Sequence, residues 1–446
     1  MKHVLVLGAG LVARPMVRYL LENTDHRVTV ASRTVAKATA LIDGHPRGNA
    51  VTALADDLEV IERLVQDSDL VVSLLPYIHH VAVAKLCLQY GKHLVTTSYV
   101  SPAMRELDAE ATAKGLLFLN EIGLDPGIDH MSAMRIIHEV QGKGGKIVSF
   151  KSYCGGLPAP EANDNPFGFK MSWSPRGVAM AGRNEARFKS GGQEKVIPGP
   201  LLFSHAEPFV VPSEGTFDSY PNRNSLPYID IYGIPEARTM VRGTLRNPGW
   251  CRAWQAIADV GYLSDDPLPA AGLTFKALTA KLIGSAGADL RAEVAAKSQA
   301  GSEAETLDRL EWLGLFSDAV IPASAKSPLD ALCAPLTDKL SYQPGERDMI
   351  VLFTELVAEY PDGTEQTITS TFVDFGIPDG DSSMARTVSL PAAIAVKMIL
   401  DGSMKATGVK IPIEPAVYNP VLDELEALGL ACKDVYGDKR PVSVLA

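Results

Sequence analysis

The chain has 446 residues, of which 46% are hydrophobic and 21% charged, with a formal net charge of −11. That length exceeds one ordinary core, so two or three domains are expected. An acidic balance without a basic run argues against a nucleic-acid or anionic-membrane partner, while local charge leaves a small anionic substrate open.

Cys87, Cys154, Cys251, Cys333 and Cys432 are scattered without CxxC spacing. That pattern argues against a disulfide framework and a structural metal, and for reduced thiols in the cytosol. No apolar run reaches the ~18 residues of a membrane-spanning helix. Lys2 to Gly10 already reads as a buried strand entering a glycine turn, which leaves little room for a leader.

In chain order, His3–Leu7 is an apolar strand closed by Gly8, and Pro15–Leu21 forms the body of a helix with Met16, Val17, Leu20 and Leu21 on one face. Arg27–Ala31, Asp69–Leu75, Lys92–Thr96 and Leu116–Asn120 read as further strands separated by helical stretches. Continuous apolar strands alternating with helices predict a parallel sheet covered on both faces, over residues 1 to about 125. Lys146–Tyr153 alternates, and a loop rich in Gly, Pro and Asn follows it to about Phe169. Met349–Tyr360 and Glu365–Phe375 flank the turn Pro361-Asp362-Gly363 and predict strands of a second, mixed sheet. Residues 251–341 have helical spacing, as in Glu303–Leu313. Pro391–Leu400 reads as an apolar helix stopped by Gly402. The fold class expected is therefore α/β: a doubly wound parallel sheet, an α+β mixed-sheet domain and an inserted all-α domain.

Gly8-Ala9-Gly10-Leu11-Val12-Ala13 matches G-x-G-x-x-A, directly after a strand and opening a helix, which is the context a pyrophosphate-binding turn requires. The end of the second strand chooses the cofactor. An NAD site wants an acidic residue there to accept from the ribose hydroxyls. Ser32, Arg33 and Thr34 instead offer a cation and two hydroxyls, which suits a 2′-phosphate and predicts NADP. Three more segments follow strand ends, where ligands gather in such sheets: Ser73–Tyr77, Thr96–Tyr99 and Asn120–Gly127.

The strings Ser73-Leu-Leu-Pro-Tyr77, Val95-Thr-Thr-Ser-Tyr-Val-Ser-Pro-Ala103, Glu121-Ile-Gly-Leu-Asp-Pro-Gly-Ile-Asp-His130 and Ser152-Tyr-Cys-Gly-Gly-Leu-Pro-Ala-Pro160 resemble the saccharopine dehydrogenase (glutamate-forming) family, also called saccharopine reductases. Phe169–Ser174, Tyr220–Ser225 and Arg242–Arg246 extend the resemblance nearly end to end. Ser32-Arg33-Thr34 looks like the NADP-using fungal members, not the animal members with an acidic residue there. Asn224 stands where the family usually has Asp.

The resemblance implies a Rossmann domain (1–125 with 386–446), a saccharopine-binding mixed-sheet domain (126–250 with 342–385) and an inserted helical domain (251–341). It implies conversion of saccharopine, NADP+ and water into glutamate, 2-aminoadipate 6-semialdehyde and NADPH, by hydride transfer and imine hydrolysis. The candidate cofactor contacts are Gly8, Gly10, Leu11, Val12, Ala13, Ser32, Arg33, Thr34, Leu75, Ser98 and Leu124. The candidate substrate contacts are Ser98, Tyr99, Asp125, Arg223, Thr244, Leu245 and Arg246. Planar guanidinium groups suit the carboxylates, and Asp125 suits an ammonium group. Asp125, Tyr99, Cys154 and an ordered water all qualify as the acid–base; His130, at a helix start, has a packing role as its alternative. Two other readings stand beside this one: a carboxyspermidine or carboxynorspermidine type of reductase, and a non-catalytic nucleotide-binding relative. A homodimer is the default for this class.

Overall fold

The computed structural model describes residues 1–269, 272–285, 289–298 and 300–442. In chain order the strands are β1 (His3–Leu7), β2 (Arg27–Ser32), β3 (Gly48–Thr52), β4 (Leu70–Ser73), β5 (His93–Val95), β6 (Leu117–Leu119), β7 (Lys146–Pro158), β8 (Ala186–Ser190) and β9 (Gln193–Ile197). They continue as β10 (Glu207–Val211), β11 (Gly215–Pro221), β12 (Thr239–Arg246), β13 (Asp348–Glu359), β14 (Thr364–Phe375), β15 (Gly408–Lys410), β16 (Lys433–Tyr436) and β17 (Arg440–Pro441). The chain forms two compact units, Met1–Gly142 with Gly380–Lys433, and Lys143–Asp379 with Asp434–Ala446.

The first unit holds a seven-stranded sheet in the order β15-β6-β5-β4-β1-β2-β3. Its pairings are parallel throughout. β1 reads as an unbroken apolar run because the sheet is covered on both faces; Val4, Leu5, Val6 and Leu7 are all buried. β1 lies between β2 and β4, so the strand order reverses there, and ligands of such sheets gather beyond that point.

The helix expected over Pro391–Leu400 instead spans Ser383–Asp401, with Pro391 inside it. Its polar first turns hid the start. Ser382 caps it by accepting from Ala385 N at 3.0 Å, and the Thr387 and Ser389 hydroxyls return to the carbonyls of Ser383 and Ala385 at 2.8 Å each. By length and composition this helix is apolar enough to cross a membrane, yet it is mostly buried; it packs on the helices Arg14–Asn23 and Pro415–Ala427 of its own unit as a core element.

The helix Ile128–Gly142 belongs to this first unit, where it packs on the helix Pro415–Ala427. The sequence reading placed residues 126–142 and 380–385 with the substrate domain. It placed residues 434–446 with the nucleotide domain, whereas β17 pairs with β14 of the second unit.

The second unit holds a ten-stranded sheet, whose main path is β10-β11-β12-β7-β13-β14-β16. β12 and β7 are parallel, and β7–β13 and β13–β14 antiparallel, so the sheet is mixed as expected. β7 does not end at Tyr153 but runs on through Cys154-Gly155-Gly156. Glycine is needed there, because a Cβ on Gly155 would lie 2.9 Å from the Leu245 carbonyl oxygen on the neighbouring strand. Helices from Trp250 to Lys339 share one apolar cluster with Phe167, Phe169 and Met171, and belong to the same compact unit as the sheet.

Candidate active site

In the first unit, Gly8 has φ +113°, and a Cβ there would press on the Leu74 carbonyl at 3.1 Å. Only glycine fits this approach of β1 to β4. A Cβ on Gly10 would meet nothing within 4 Å, so its backbone is open to a ligand. Ala13 is fully buried, which sets the following helix close to the sheet, while Leu11 is exposed and Val12 half-buried. The helix Arg14–Asn23 has no side-chain cap at its N-terminus. Its free N–H groups and dipole suit a pyrophosphate, so the residues fit a dinucleotide.

Ser32 ends β2 and accepts from Thr34 N at 3.2 Å, which fixes the turn around Arg33. Arg33 is exposed and forms no ion pair among the described residues. An unneutralised cation at this strand end suits a 2′-phosphate.

Beyond β5 and β6 the structure brings Ser98 against Glu121 and Tyr99 against Asp125. Leu75 packs partly against the core of this unit and Leu124 is buried. The Tyr99 phenol donates to Asp125 Oδ1 at 2.9 Å. Two residues the sequence reading missed hold this crest. His80 is buried, with Nδ1 2.9 Å from the Ser73 hydroxyl and Nε2 2.8 Å from Ser98 and 3.2 Å from Thr96. Burial, with a smaller contribution from His79, lowers its pKa to about 4, so the ring is neutral near neutrality. A histidine at the first position of a helix carries no signal of such bonding.

Glu121 is the second. It is buried with φ 57°, a region few non-glycine residues adopt. Its Oε1 accepts from Val100 N at 2.9 Å, its Oε2 lies 2.8 Å from His130 Nε2, and its own N–H donates to Ser98 O at 3.1 Å. Glu121 thus ties the Tyr99 segment to the Asp125 loop. His130, fully buried, is a partner of that tie.

In the second unit, Cys154 and Thr244 are ladder partners on β7 and β12. Cys154 is buried. The Leu245 side chain belongs to the core with Leu157 and Phe217, so its backbone is the part left for binding. Arg246 is only 6% exposed; its Nη1 donates to Leu245 O at 2.9 Å and its Nε has no partner among the described residues. Arg223 is exposed, with φ 55°. Asn224 Oδ1 accepts from Leu226 N at 3.0 Å, a turn bond that an aspartate would make equally, so the departure from the family residue costs little.

Residues 4–119 match the family model described as saccharopine dehydrogenase NADP binding domain, and residues 123–430 that of the saccharopine dehydrogenase C-terminal domain. A Schizosaccharomyces pombe protein named saccharopine dehydrogenase [NADP(+), L-glutamate-forming] is 40% identical, over 99% of this chain and 100% of its own. The Saccharomyces cerevisiae protein of the same name is 42% identical over 98% of each chain. A bovine mitochondrial alpha-aminoadipic semialdehyde synthase is 39% identical, over 96% of this chain but 47% of its own length. The solved apo saccharopine dehydrogenase (L-Glu forming) from Saccharomyces cerevisiae superposes with a TM-score of 0.87 at 41% identity, covering 98% of this chain and 100% of that one. With the nucleotide turn, the parallel sheet and the mixed sheet all in place, this chain belongs to the saccharopine dehydrogenase family.

Proposed function

We propose that this protein is an NADP-dependent oxidoreductase acting on the CH–NH group of saccharopine, reversibly forming glutamate and 2-aminoadipate 6-semialdehyde. The observation that carries this is the end-to-end similarity, at about two residues in five, to chains named for that reaction. When bound, NADP+ would supply a hydride acceptor for the ε-carbon of the lysine moiety of saccharopine; the C=N bond then lies on that carbon, and water releases it as the semialdehyde while the nitrogen leaves with glutamate.

The chain's own residues bind, orient and manage protons. The cofactor contacts are Gly8, Gly10, Leu11, Val12, Ala13, Ser32, Arg33, Thr34, Leu75, Ser98 and Leu124. Asp125 takes a substrate ammonium, Ser98 and Tyr99 hydrogen-bond the amino-acid head, and Arg223 and Arg246 take carboxylates beside Thr244 and Leu245. A buried guanidinium with an unpartnered Nε supports the last assignment. Hydrolysis of the imine requires a group to deliver and remove protons, drawn from Asp125, Tyr99, Cys154 and an ordered water.

The domain roles proposed are nucleotide binding by the first unit, and saccharopine binding by the mixed sheet, with the 251–341 helices as an insertion. A cytoplasmic location is supported by five free thiols, and a homodimer by the frequency of two-fold assemblies.

The test is incubation with saccharopine and NADP+, following reduced nicotinamide by absorbance. Formation of NADPH with glutamate as coproduct is expected. Turnover of a carboxylated polyamine but not saccharopine, or of neither, overturns the proposal.

A further inference from the structure

Arg246 presents an unusual balance. It is buried, and among the described residues its Nη1 donates to the neighbouring Leu245 carbonyl alone. Among the described residues Arg246 forms no ion pair with a carboxylate, and its Nε has no partner. Asp218 is its direct cross-strand neighbour. That carboxylate turns instead to Gly249 N at 2.9 Å and Cys251 N at 3.3 Å, at the start of the helix Trp250–Val260.

What faces the guanidinium is aromatic. Its central carbon lies 5.1 Å from the Phe169 ring centroid and 5.0 Å from that of Trp250. Trp250 is itself fixed. It stacks on Trp254 at 4.5 Å and 12°, lies parallel to Tyr220 at 6.2 Å and 7°, and meets Phe203 edge-on at 5.3 Å. Phe169 leans on Trp250 at 5.8 Å.

Taking a guanidinium out of water costs more than two ring contacts return. An apolar side chain of similar volume would pack here at less cost. Two adjacent rings on one side of the cation restrict its orientation while Nε keeps a hydrogen to donate, and a carboxylate is the acceptor a guanidinium fits.

We propose that Phe169 and Trp250 are positioning residues for substrate recognition, holding the Arg246 guanidinium against their two adjacent rings so that its free N–H donors receive one carboxylate of the amino-acid substrate. This rests on the reading above that Arg246 binds a carboxylate. The receptor is then the three side chains together. Its preference is for a carboxylate on an amino-acid carbon, and Trp250 senses its occupation.

Steady-state kinetics of Trp250→Leu, Trp250→Phe and Phe169→Leu test the proposal. Each Leu variant should raise the KM for saccharopine about tenfold, equal to ~1.4 kcal/mol, with kcat and the KM for NADP+ changed less than about threefold. Trp250→Phe, which keeps a ring face, should stay within about threefold of wild type. Equal effects of Phe and Leu at position 250, or losses spread over kcat and the NADP+ KM, overturn the inference. Arg246→Met separates the two claims. An unchanged saccharopine KM in that variant removes the carboxylate reading itself; a raised KM there with unaffected aromatic variants removes only the positioning role. Should the Leu variants not fold, wild-type protein carries the test: saccharopine should shift tryptophan emission, and unchanged emission at saturation overturns the proposal.

Discussion

The Tyr99 phenol donates to Asp125 Oδ1 at 2.9 Å, joining the loops that follow β5 and β6. A carboxylate accepting this bond is held in a fixed rotamer, which orients it toward a substrate ammonium. Hydrogen bonds to charged groups contribute about 1.5–3 kcal/mol. Asp125→Asn should therefore raise the saccharopine KM by roughly ten- to a hundredfold, with both limbs of the pH–rate profile retained. Loss of one limb would make Asp125 the proton-transfer group instead. Tyr99→Phe combined with Asp125→Asn should cost less than the sum of the two, because the residues share one bond.

His80 gives the fold an acid sensitivity. Its pKa is lowered to about 4 in the folded protein by burial, against 6.5 in an ordinary setting. The unfolded chain therefore binds that proton first as pH falls. Stability from this site is whole above the ordinary value and declines as pH drops from about 6.5 towards about 4, by up to roughly 3 kcal/mol. His80→Gln should flatten denaturant midpoints across that window. A wild-type midpoint that does not fall over the same range would contradict the assignment.

Arg33 sets the cofactor. NADPH should bind at least about tenfold more tightly than NADH, the worth of one charge-assisted contact, and Arg33→Asp should reverse the order. Fluorescence titration of the reduced nicotinamides measures both; equal affinities in the wild type would reject the role.

Glu121 should matter to stability more than to chemistry. Removing one partner of a buried hydrogen bond leaves the other unsatisfied and costs about 1–3 kcal/mol, more where the group is charged. Glu121→Ala should lower the unfolding midpoint accordingly, whereas Glu121→Gln, which keeps an acceptor for Val100 N, should lose about half as much. Indistinguishable Ala and Gln variants would show that the Val100 bond is unimportant.

Much of this was legible in the residues. β1 and β4 announce themselves as Val/Leu runs because both their faces are covered. β3 (Gly48–Thr52) and β15 (Gly408–Lys410) sit at the two edges, where half the strand's surroundings are missing and small or polar residues suffice. Gly155-Gly156 imitates a loop although it lies inside β7, since the demand for glycine comes from Leu245, ninety residues on in the chain. The phosphate turn is local and could be read. The His80 and Glu121 bonds and the rings around Arg246 join distant segments, and pattern alone has no access to them.

The two units are threaded through one another in sequence. β15, an edge strand of the parallel sheet, follows the whole of β7–β14, and β17 pairs with β14 only after that. During synthesis β1–β6 must therefore wait, with one border unpaired, while more than two hundred and fifty residues emerge. Contacts of such separation form slowly, and an open β6 border is exposed to other chains meanwhile. A nascent chain halted before Gly408 is accordingly the species in which association between copies, and a requirement for chaperones, would be greatest.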